Sequence, residues 1–507
     1  MVPSNGRRDE INNTWELVER PPNQEVIGSR IVLRNKYSSD GTLLRRTARL
    51  VAQEFGQRPG THFKETFAPV ARIGTVRILM SLATQLNMEV RQFDITCAYL
   101  NGELQEEIMM NPSRHLEEIS KIIIRDERGE LHVKARKMLQ LLKRGDMICK
   151  LRKSLYGLRQ AGRSWHAKLD EVLKNFGANP TKADPCLYSI GSGEELTLIA
   201  VYVDDIIVAS KNSCIIRGLA SHLSEKFETK DLGPIKYCVG IEFSRGAEGF
   251  HAKQTGYINE LLNRFGMIEA NTVCTPLDLG TKLDPDQKIP FRELLGALTY
   301  LSTCTRPDIS YAVSYLGQFS NCYGQNHWIA AKRVLRYLKG TRDLGLQFRR
   351  ETSPLVGYVD ADWGNCHIDR KSYSGYVFMM GRTPIAWESR KQRTVALSST
   401  EAEYMGMSVA AKAASYFKSF MAELGLKHLG EIVVYEDNMG AIKLSKNPMF
   451  HARTKHIDIS YHFIKEAMQN GTFKVEHLAS RDMVADIFTK PLPGPRHREC
   501  TVMLNLV

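Results

Sequence analysis

Two neighbouring carboxylates interrupt one of the most apolar stretches of this chain. The stretch TLIAVYVDDIIVASKN runs from Thr197 to Asn212, with Asp204 and Asp205 at its centre. Ionised carboxylates among apolar residues are costly unless they bind a cation or accept hydrogen bonds. The flanking β-branched residues predict a hairpin with both aspartates at its tight turn. Because aspartate is common in turns, turn formation alone also explains the doublet.

A third carboxylate, Asp94, follows the strand-like piece VRQF and precedes a short helix. If this strand end lies beside the hairpin, three carboxylates repel one another and need divalent cations. Two Mg²⁺ ions about 3.5–4 Å apart serve in-line phosphoryl transfer. Carboxylate oxygens suit Mg²⁺, which keeps substrate phosphates among its ligands. The first half of the chain therefore predicts a two-metal site for Mg²⁺, with Mn²⁺ as a substitute.

A second acidic set occupies the last third of the chain. Its members stand on separate predicted elements: Asp360, Glu401, Asp437 and Asp486. If they converge on one face, they form another two-metal site, here for hydrolysis of a phosphodiester. Each also has a purely structural explanation. Glu401 follows Ser398 at capping-box spacing, and Asp437 can cap the helix that starts in NMGAIKL.

Alternating strand and helix patterns predict a mixed α/β (α+β) fold around these acids. Helices are predicted over 74–87, 164–177, 291–304 and 326–338, and a long helix begins near Ser399. Asp40-Gly41 predicts a hairpin turn. The charge-dense stretch 115–148 indicates a local insertion or a long loop. The polar segment up to about Pro22 is predicted to be marginally ordered.

The charge balance favours a polyanionic partner. The net charge is +13, which points to nucleic acid, although charge for solubility explains it as well. The predicted helix 326–338 and its flank are basic through Lys332, Arg333, Arg336 and Lys339. The ten cysteines form no CxxC pair, which argues against a zinc ribbon and favours a reducing compartment. No secretory signal and no apolar run of membrane-spanning length is present, so we expect an intracellular protein without a membrane partner.

Ordered motifs in both halves carry a family resemblance. TARLVAQEFGQ, QFDITCAYLNGEL, SLYGLRQAGRSW, YVDD and KDLGPIKYCVGIEF resemble the reverse transcriptase of copia-type LTR retrotransposons. GYVDADWGN, LSSTEAEYMG, VVYEDNMGAI and RDMVADIFTKPL resemble the RNase H domain of the same Pol polyprotein. The matches span roughly residues 12 to 495. No DTG or DSG protease triplet and no integrase or nucleocapsid zinc pattern accompanies them.

The resemblance implies a right-hand polymerase of fingers, palm and thumb, followed by an RNase H-like domain. The implied segments are a polar N-terminal segment (1–25), fingers and palm (26–245), thumb or connection (246–352), an RNase H-like domain (353–495) and a C-terminal tail (496–507).

The resemblance also implies roles for residues of the polymerase half. Asp94 and Asp204 match the metal-binding carboxylates, Asp205 the supporting one, and Ile95 lends a backbone carbonyl to a metal. Residues matched to nucleotide binding are Arg49, Tyr99, Tyr156, Gly157, Arg34 and Lys36. Among them Tyr99 matches the gate that excludes a 2′-hydroxyl, and Arg49 matches the arginine that grips the triphosphate. Without the resemblance, Tyr99 is equally a core aromatic and Arg49 a surface charge. Gly240 matches the primer grip.

In the second half, the resemblance makes Asp360, Glu401, Asp437 and Asp486 the metal-binding quartet of the nuclease, again with two Mg²⁺ ions. His477 loosely matches a family histidine, and His456 is interpreted as structural.

The implied function is RNA-directed DNA synthesis with degradation of the RNA strand of the hybrid. The implied partners are an RNA template, a DNA or tRNA primer, the RNA–DNA hybrid, dNTPs and other polyprotein products such as integrase and capsid. The implied location is a cytoplasmic virus-like particle, and also the nucleus. The alternative is a decayed or domesticated nucleic-acid-binding protein that keeps the fold without catalysis.

Overall fold

The computed structural model describes residues 14–22, 24–37, 43–278, 289–351, 353–427, 432–446 and 455–507. The strands are β1 (Trp15–Glu19), β2 (Val26–Ile27), β3 (Ser29–Tyr37), β4 (Leu43–Ala52), β5 (Glu89–Ile95), β6 (Glu103–Met110), β7 (Met147–Lys153), β8 (Asn179–Pro180), β9 (Leu187–Ile190), β10 (Thr197–Tyr202), β11 (Asp205–Ser210), β12 (Thr229–Pro234), β13 (Tyr237–Cys238), β14 (Ile241–Arg245), β15 (Phe250–Lys253), β16 (Leu346–Gln347), β17 (Val356–Asp362), β18 (Tyr373–Met380), β19 (Thr383–Lys391), β20 (Ile432–Glu436) and β21 (Phe473–His477).

The helices confirm the mixed α/β class. They are α1 (Ile73–Gln85), α2 (Leu116–Asp126), α3 (Glu130–Leu142), α4 (Ala161–Asn175), α5 (Ser213–Lys226), α6 (Thr255–Arg264), α7 (Phe291–Cys304), α8 (Ser310–Gly317), α9 (Gln325–Gly340), α10 (Ser399–Glu423), α11 (Met439–Lys446), α12 (Lys455–Gln469) and α13 (Gly494–Met503). The five helices predicted from periodicity are present within a few residues of their expected bounds. Among the described residues, no helix is long and apolar enough to cross a membrane.

A six-stranded sheet in the order β12-β5-β11-β10-β9-β8 carries the first acidic set. Strands β10 and β11 have the apolar sequences TLIAVY and DIIVAS, which suit a sheet covered on both faces. Helices α4 and α5 bury Trp165, Leu169 and Leu219 against one face, together with Phe93 and Ile206 of the sheet. The other face packs on α1.

The N-terminal part forms a second sheet, in the order β1-β7-β6-β2, beside the separate hairpin β3–β4. The expectation of a marginally ordered segment up to Pro22 was wrong over Trp15–Glu19, which pair with β7. This pairing joins residues far apart in sequence, so local composition did not reveal it. The predicted Asp40-Gly41 turn lies outside the described residues, although the strands on either side of it pair antiparallel.

The charge-dense stretch 115–148 is an insertion, not a long loop. It contains α2 and α3, which pack on each other and interrupt the chain between the paired strands β6 and β7. Ile123 of α2 and Ala135 of α3 are buried. The charged residues occupy the outward faces of two amphipathic helices, a pattern that high charge density conceals.

Helices α6 to α9 form a separate apolar core after the sheet β13-β14-β15-β16. The four basic residues around α9 make contacts inside the protein. Arg333 lies 2.7 Å from Asp278, Arg336 donates to the carbonyl of Asn271, and Lys339 donates to that of Ala270. Lys332 lies over the ring of Trp328. Arg333, Arg336 and Lys339 therefore bind the 270–278 segment to this helix.

The last sheet has the order β19-β18-β17-β20-β21, antiparallel among β17, β18 and β19 and parallel through β17, β20 and β21. The long helix α10 packs on it. This is the strand arrangement of an RNase H-like fold. The segment predicted as a C-terminal tail is folded: α13 buries Cys500, and Leu506 pairs with Leu346.

Candidate active sites

The first acidic set begins at the turn between β10 and β11. Tyr202 pairs with Asp205, so the loop consists of Val203 and Asp204. Val203 has a φ of 60°, the sign that a type II′ hairpin requires at its first loop residue. A β-branched residue rarely adopts this conformation, and such strain clusters at functional sites. Asp204 stands in the turn, whereas Asp205 opens the second strand.

Asp94 lies directly opposite Asp205 on the neighbouring strand β5. Cβ atoms of such pairs are about 4.5–5.5 Å apart. The Ile95 amide donates to the carbonyl of Asp204 at 2.9 Å. The three acids therefore gather at one end of adjacent strands, as the sequence predicted.

Like charges and burial act on Asp205. Burial raises the pKa of its carboxyl to about 6, a hydrogen bond from Gln92 opposes the shift, and Asp204 and Asp94 add to it. The Gln92 amide donates to Asp205 at 2.9 Å. A bound cation would favour the ionised form of these neighbours, and carboxylate oxygens are ligands of the kind that Mg²⁺ prefers.

Three residues predicted to bind nucleotide meet beside Asp204. The Arg49 guanidinium lies 4.8 Å from the ring centroid of Tyr156, and the Tyr99 and Tyr156 centroids are 5.0 Å apart. Burial raises the pKa of Tyr99, with a smaller contribution from Asp204. Arg34 and Lys36 lie on β3, the strand paired with the one that carries Arg49.

Gly157 and Gly240 occupy positions that exclude a side chain. Gly157 has a φ of +88°, and a Cβ there would overlap the carbonyl oxygen of Ala52. The Ala52 amide donates to Tyr156 at 2.8 Å, so this loop supports the strand that carries Arg49. Gly240 and Val239 both have positive φ in the turn between β13 and β14, as a type I′ turn requires.

The second acidic cluster joins Asp360, Glu403 and Asp437, and one carboxylate oxygen from each lies within 4.8 Å of the other two. Asp360 is on β17, Glu403 on α10, and Asp437 directly after β20. Asp360 and Glu403 are buried and Asp437 is half-buried.

The assignment of Glu401 to this site was wrong in position by two residues. Glu401 instead takes part in capping the helix: its amide donates to the hydroxyl of the N-cap residue Ser398 at 3.2 Å, and its Oε2 accepts from the amide of the preceding Leu397 at 2.8 Å. Two residues turn an α-helix by about 200°, so Glu403 faces the sheet instead. Its spacing to the buried residues Met407 and Ala410 was the signal that could have identified it.

A lysine that the sequence analysis missed, Lys490, bridges Asp486 to this cluster. Lys490 Nζ is 2.6 Å from Asp486 and 3.5 Å from Asp360. Thr489 donates a short hydrogen bond to Asp360, and Arg496 also pairs with Asp486. Burial raises the pKa of Asp360 to about 6, while Lys490 opposes the shift. Both basic side chains would be hard to assign from sequence, because their partners depend on tertiary packing.

Glu436 is a second missed acid, fully buried beside Asp437. Burial raises the pKa values of both Glu436 and Glu403, and neighbouring acids add to the effect. The Oε2 atoms of these two glutamates are buried without a hydrogen-bond partner among the described residues. Unpaired buried carboxylate oxygens facing other acids fit a site built for a divalent cation.

His477 ends β21 and is exposed, opposite Glu436 in strand register. His456 lies at the start of α12, and its side chain is outside the described part of the chain.

Comparisons with known proteins identify relatives of this chain. The sequence profile described as "Reverse transcriptase (RNA-dependent DNA polymerase)" matches residues 12–279. The chain is 38% identical over 492 residues to the "Retrovirus-related Pol polyprotein from transposon RE1" of Arabidopsis thaliana, covering 95% of this chain and 32% of that protein. It is 37% identical over 510 residues to the corresponding polyprotein from transposon TNT 1-94 of Nicotiana tabacum, covering 98% and 37%. It thus spans about a third of the length of these relatives.

Among solved structures, the foamy viral protease-reverse transcriptase in complex with RNA/DNA hybrid matches 89% of this chain and 51% of its own. The TM-score is 0.45 at 13% identity.

Proposed function

This chain belongs to the reverse transcriptase (RNA-dependent DNA polymerase) family and resembles copia-type Pol polyproteins, and from that premise we propose that it copies RNA into DNA and cleaves the RNA strand of the hybrid. The observation that carries the first activity is the pairing of Asp94 with Asp205 across adjacent strands, with Asp204 at the hairpin turn beside them.

In the polymerase site, Asp94, Asp204 and the Ile95 carbonyl would hold the cations, and Asp205 would support them through its hydrogen bond with Gln92. The primer 3′-hydroxyl would attack the α-phosphate of a dNTP, and pyrophosphate would leave. Tyr99, which packs on Tyr156, would lie under the incoming sugar and exclude a 2′-hydroxyl.

The nucleotide itself would be gripped from the fingers. Arg49, held over Tyr156 by the loop at Gly157, would pair with the triphosphate. Arg34 and Lys36 of the neighbouring strand would contact nucleic-acid or nucleotide phosphates. Because such contacts release counterions, we expect template–primer binding to weaken steeply with salt.

In the nuclease site, Asp360, Glu403 and Asp437 would hold the cations, with Asp486 beside them. When bound, divalent cations at either site would supply charge stabilisation at the phosphate and a more acidic attacking hydroxyl or water. Lys490 contributes positive charge close to Asp360 and Asp486, where the cleaved phosphodiester would approach.

Template, primer, hybrid and dNTPs are the partners that this function requires, and integrase and capsid products are the protein partners we propose. A cytoplasmic virus-like particle, or the nucleus, is the location that fits this chemistry. These partners are proposed on the family relationship, since the chain spans about a third of its relatives.

A pair of conservative variants tests both activities in one protein. Asp204→Asn should lose Mg²⁺-dependent primer extension on an RNA template while it still cleaves a preformed hybrid. Asp360→Asn should show the reverse. Each variant serves as the folding control of the other.

If the unmutated chain extends no primer with Mg²⁺ or Mn²⁺, the polymerase proposal fails. Binding of hybrid without either activity would instead favour the alternative, a nucleic-acid-binding protein that has lost catalysis.

A further inference from the structure

A buried arginine lies where the polymerase half meets the RNase H-like unit. Arg77 of α1 is 8% exposed. Its Nε donates to the carbonyl of Ile385 on β19 at 2.8 Å. Its Nη1 donates to the carbonyls of Thr303 and Cys304, at the end of α7. One guanidinium thus joins α1 to two parts of the chain that lie more than 200 residues after it.

The same helix end receives a second donor, from the RNase H-like unit. The indole Nε1 of Trp387 on β19 donates to the Ser302 carbonyl at 2.9 Å. Its ring lies 3.9 Å from the Arg77 guanidinium carbon. The last carbonyls of a helix lack partners in the helix and carry its negative dipole end. Arg77 and Trp387 therefore supply hydrogen-bond donors to the last carbonyls of α7, one from the polymerase half and one from the RNase H-like unit.

The guanidinium stays charged in this position. Burial lowers the pKa of Arg77 to about 10, which is still well above neutral pH. The neighbouring Cys304 and Tyr376 groups are neutral at that pH, because burial raises the pKa values of both. The charge is thus satisfied by the carbonyl oxygens of Thr303, Cys304 and Ile385. We call this contact between Arg77, Trp387 and the end of α7 the joint.

Helix α7 also contacts the polymerase side. The Tyr300 hydroxyl donates to the Val239 carbonyl in the type I′ turn and lies against Gly240. Cys238, next to that turn, is close enough to the first acidic set for Asp205 and Asp204 to raise its pKa, although burial contributes most. One rigid helix therefore connects the joint with the primer-grip turn.

We propose that Arg77 and Trp387 are positioning residues that fix the nuclease site relative to the polymerase site, so that the hybrid is cut at a set distance from the primer 3′ end. The apolar core supports this, because it continues from Leu79 and Leu82 of α1 to Phe378 and Ile385 of the RNase H-like sheet. The proposal rests on the proposed function, since it needs a chain that cleaves hybrid.

The test uses the full chain and a labelled RNA annealed to a DNA primer with a recessed 3′ end. RNA cuts are mapped from the primer terminus without dNTPs, and total cleavage is measured on a hybrid without a primer end. In Arg77→Met, we expect the share of cuts at the dominant position to fall at least about two-fold, the lower end of the coupling that single residues carry between sites. Total cleavage should be unchanged.

Two further variants sharpen the assignment. Trp387→Phe keeps a ring but removes the donor to Ser302, and should broaden the cuts as well. Arg77→Lys keeps the positive charge, so its share of cuts at the dominant position should be higher than that of Arg77→Met. Leu223→Ala is the control, because it opens a cavity in the core beside α5 without touching the joint. It should lower thermal stability and leave the cut position unchanged.

Hydrogen exchange of the same proteins gives a readout that needs no activity. In Arg77→Met, amide exchange should rise at the end of α7 and in β19 and stay unchanged in β1 and β7. Unaltered exchange at the joint, or unaltered cut positions in a cleaving protein, would overturn the proposal. If the unmutated chain does not cleave hybrid, the proposed nuclease function is refuted instead. The hydrogen-exchange comparison of Arg77→Met with the unmutated chain then tests whether Arg77 holds the joint together.

Discussion

At the scale of single residues, the direction of a side chain separates a structural carboxylate from one that can bind a cation. Glu401 and Glu403 stand two positions apart on α10. Glu401 caps the helix, whereas Glu403 is buried against Asp360 and Asp437. Both glutamates lie in the motif LSSTEAEYMG. Only the side of the helix on which each one lies distinguishes them.

This difference gives a prediction with a built-in control. Glu403→Gln should reduce hybrid cleavage by about 10²-fold or more, the size typical of losing one group that stabilises developing charge. Glu401→Gln should leave cleavage near the unmutated rate, because the glutamine side-chain oxygen can still accept the hydrogen bond from the Leu397 amide. Both are measured on a preformed hybrid in Mg²⁺. A larger loss in Glu401→Gln than in Glu403→Gln would contradict the site described above.

At the scale of elements, two tight turns shape the proposed polymerase site. The loop Val203-Asp204 has one positive φ and the loop Val239-Gly240 has two. Such turns were predictable for the first hairpin, because its strands have strong β propensity. The second was not, since its close contact with Tyr300 comes from a helix about 60 residues later.

Gly240→Ala should therefore impair the polymerase selectively. Alanine disfavours positive φ, which costs about 1 kcal/mol or more, and its Cβ would overlap the Tyr300 hydroxyl. We expect weaker primer extension and normal cleavage of a hybrid without a primer end.

The matched control for this variant is Gly296→Ala, at an open helical position of α7. It should stabilise the protein by up to about 1 kcal/mol, as alanine does in place of glycine in a helix. Equal primer extension in the two variants would contradict a role for the 239–240 turn.

The helical insertion offers a second prediction at this scale. Strands β6 and β7 pair up to Met110 and Cys149, so their ends already lie side by side. Replacing 113–144 with a short Gly/Ser turn should preserve folding, because insertions between paired strand ends are removable when little else holds them. Thermal melting and primer extension check this. An insoluble product would show that α2 and α3 support the fingers.

At the scale of the whole molecule, part of the positive charge serves folding. The chain carries a net charge of +13, yet several cations are used internally. Arg306 is fully buried and pairs with Asp308 through two hydrogen bonds of 2.9 and 2.7 Å. Tyr337 also donates to Asp308, and His497 of α13 contacts the Asp308 carbonyl. This cluster fastens α13 to the helices α8 and α9.

The cluster predicts how stability depends on pH. Burial alone would raise the pKa of Asp308, but the Arg306 guanidinium outweighs it and the pKa is lowered. A lowered pKa stabilises the folded state above the unfolded value of about 3.9, and this stability is lost as pH falls through the folded value. Calorimetric melting between pH 3 and 7 should therefore show acid loss below about pH 4.

Asp308→Asn should lower stability at neutral pH by about 3–5 kcal/mol, because it leaves Arg306 buried without its partner. In this variant, the free energy of unfolding should also no longer show the part of its decrease at low pH that comes from protonation of Asp308. The double variant Arg306→Met/Asp308→Asn should recover part of the loss, since it removes the orphaned charge. A double variant less stable than Asp308→Asn would contradict this account.

Sequence patterns alone predicted the mixed α/β class and the main helices, and they placed Asp94 beside the Asp204–Asp205 turn and Asp360 near Asp437 and Asp486. Each of these signals lies within one strand, turn or helix, where spacing is set by local geometry. It took the packed structure to show that Glu403 and not Glu401 faces Asp360 and Asp437, and that Lys490 and Glu436 lie beside them. The same holds for the Arg77–Trp387 joint and for the internal use of the basic residues near α9. These depend on how elements rotate and pack against distant parts of the chain, and no local pattern records that information.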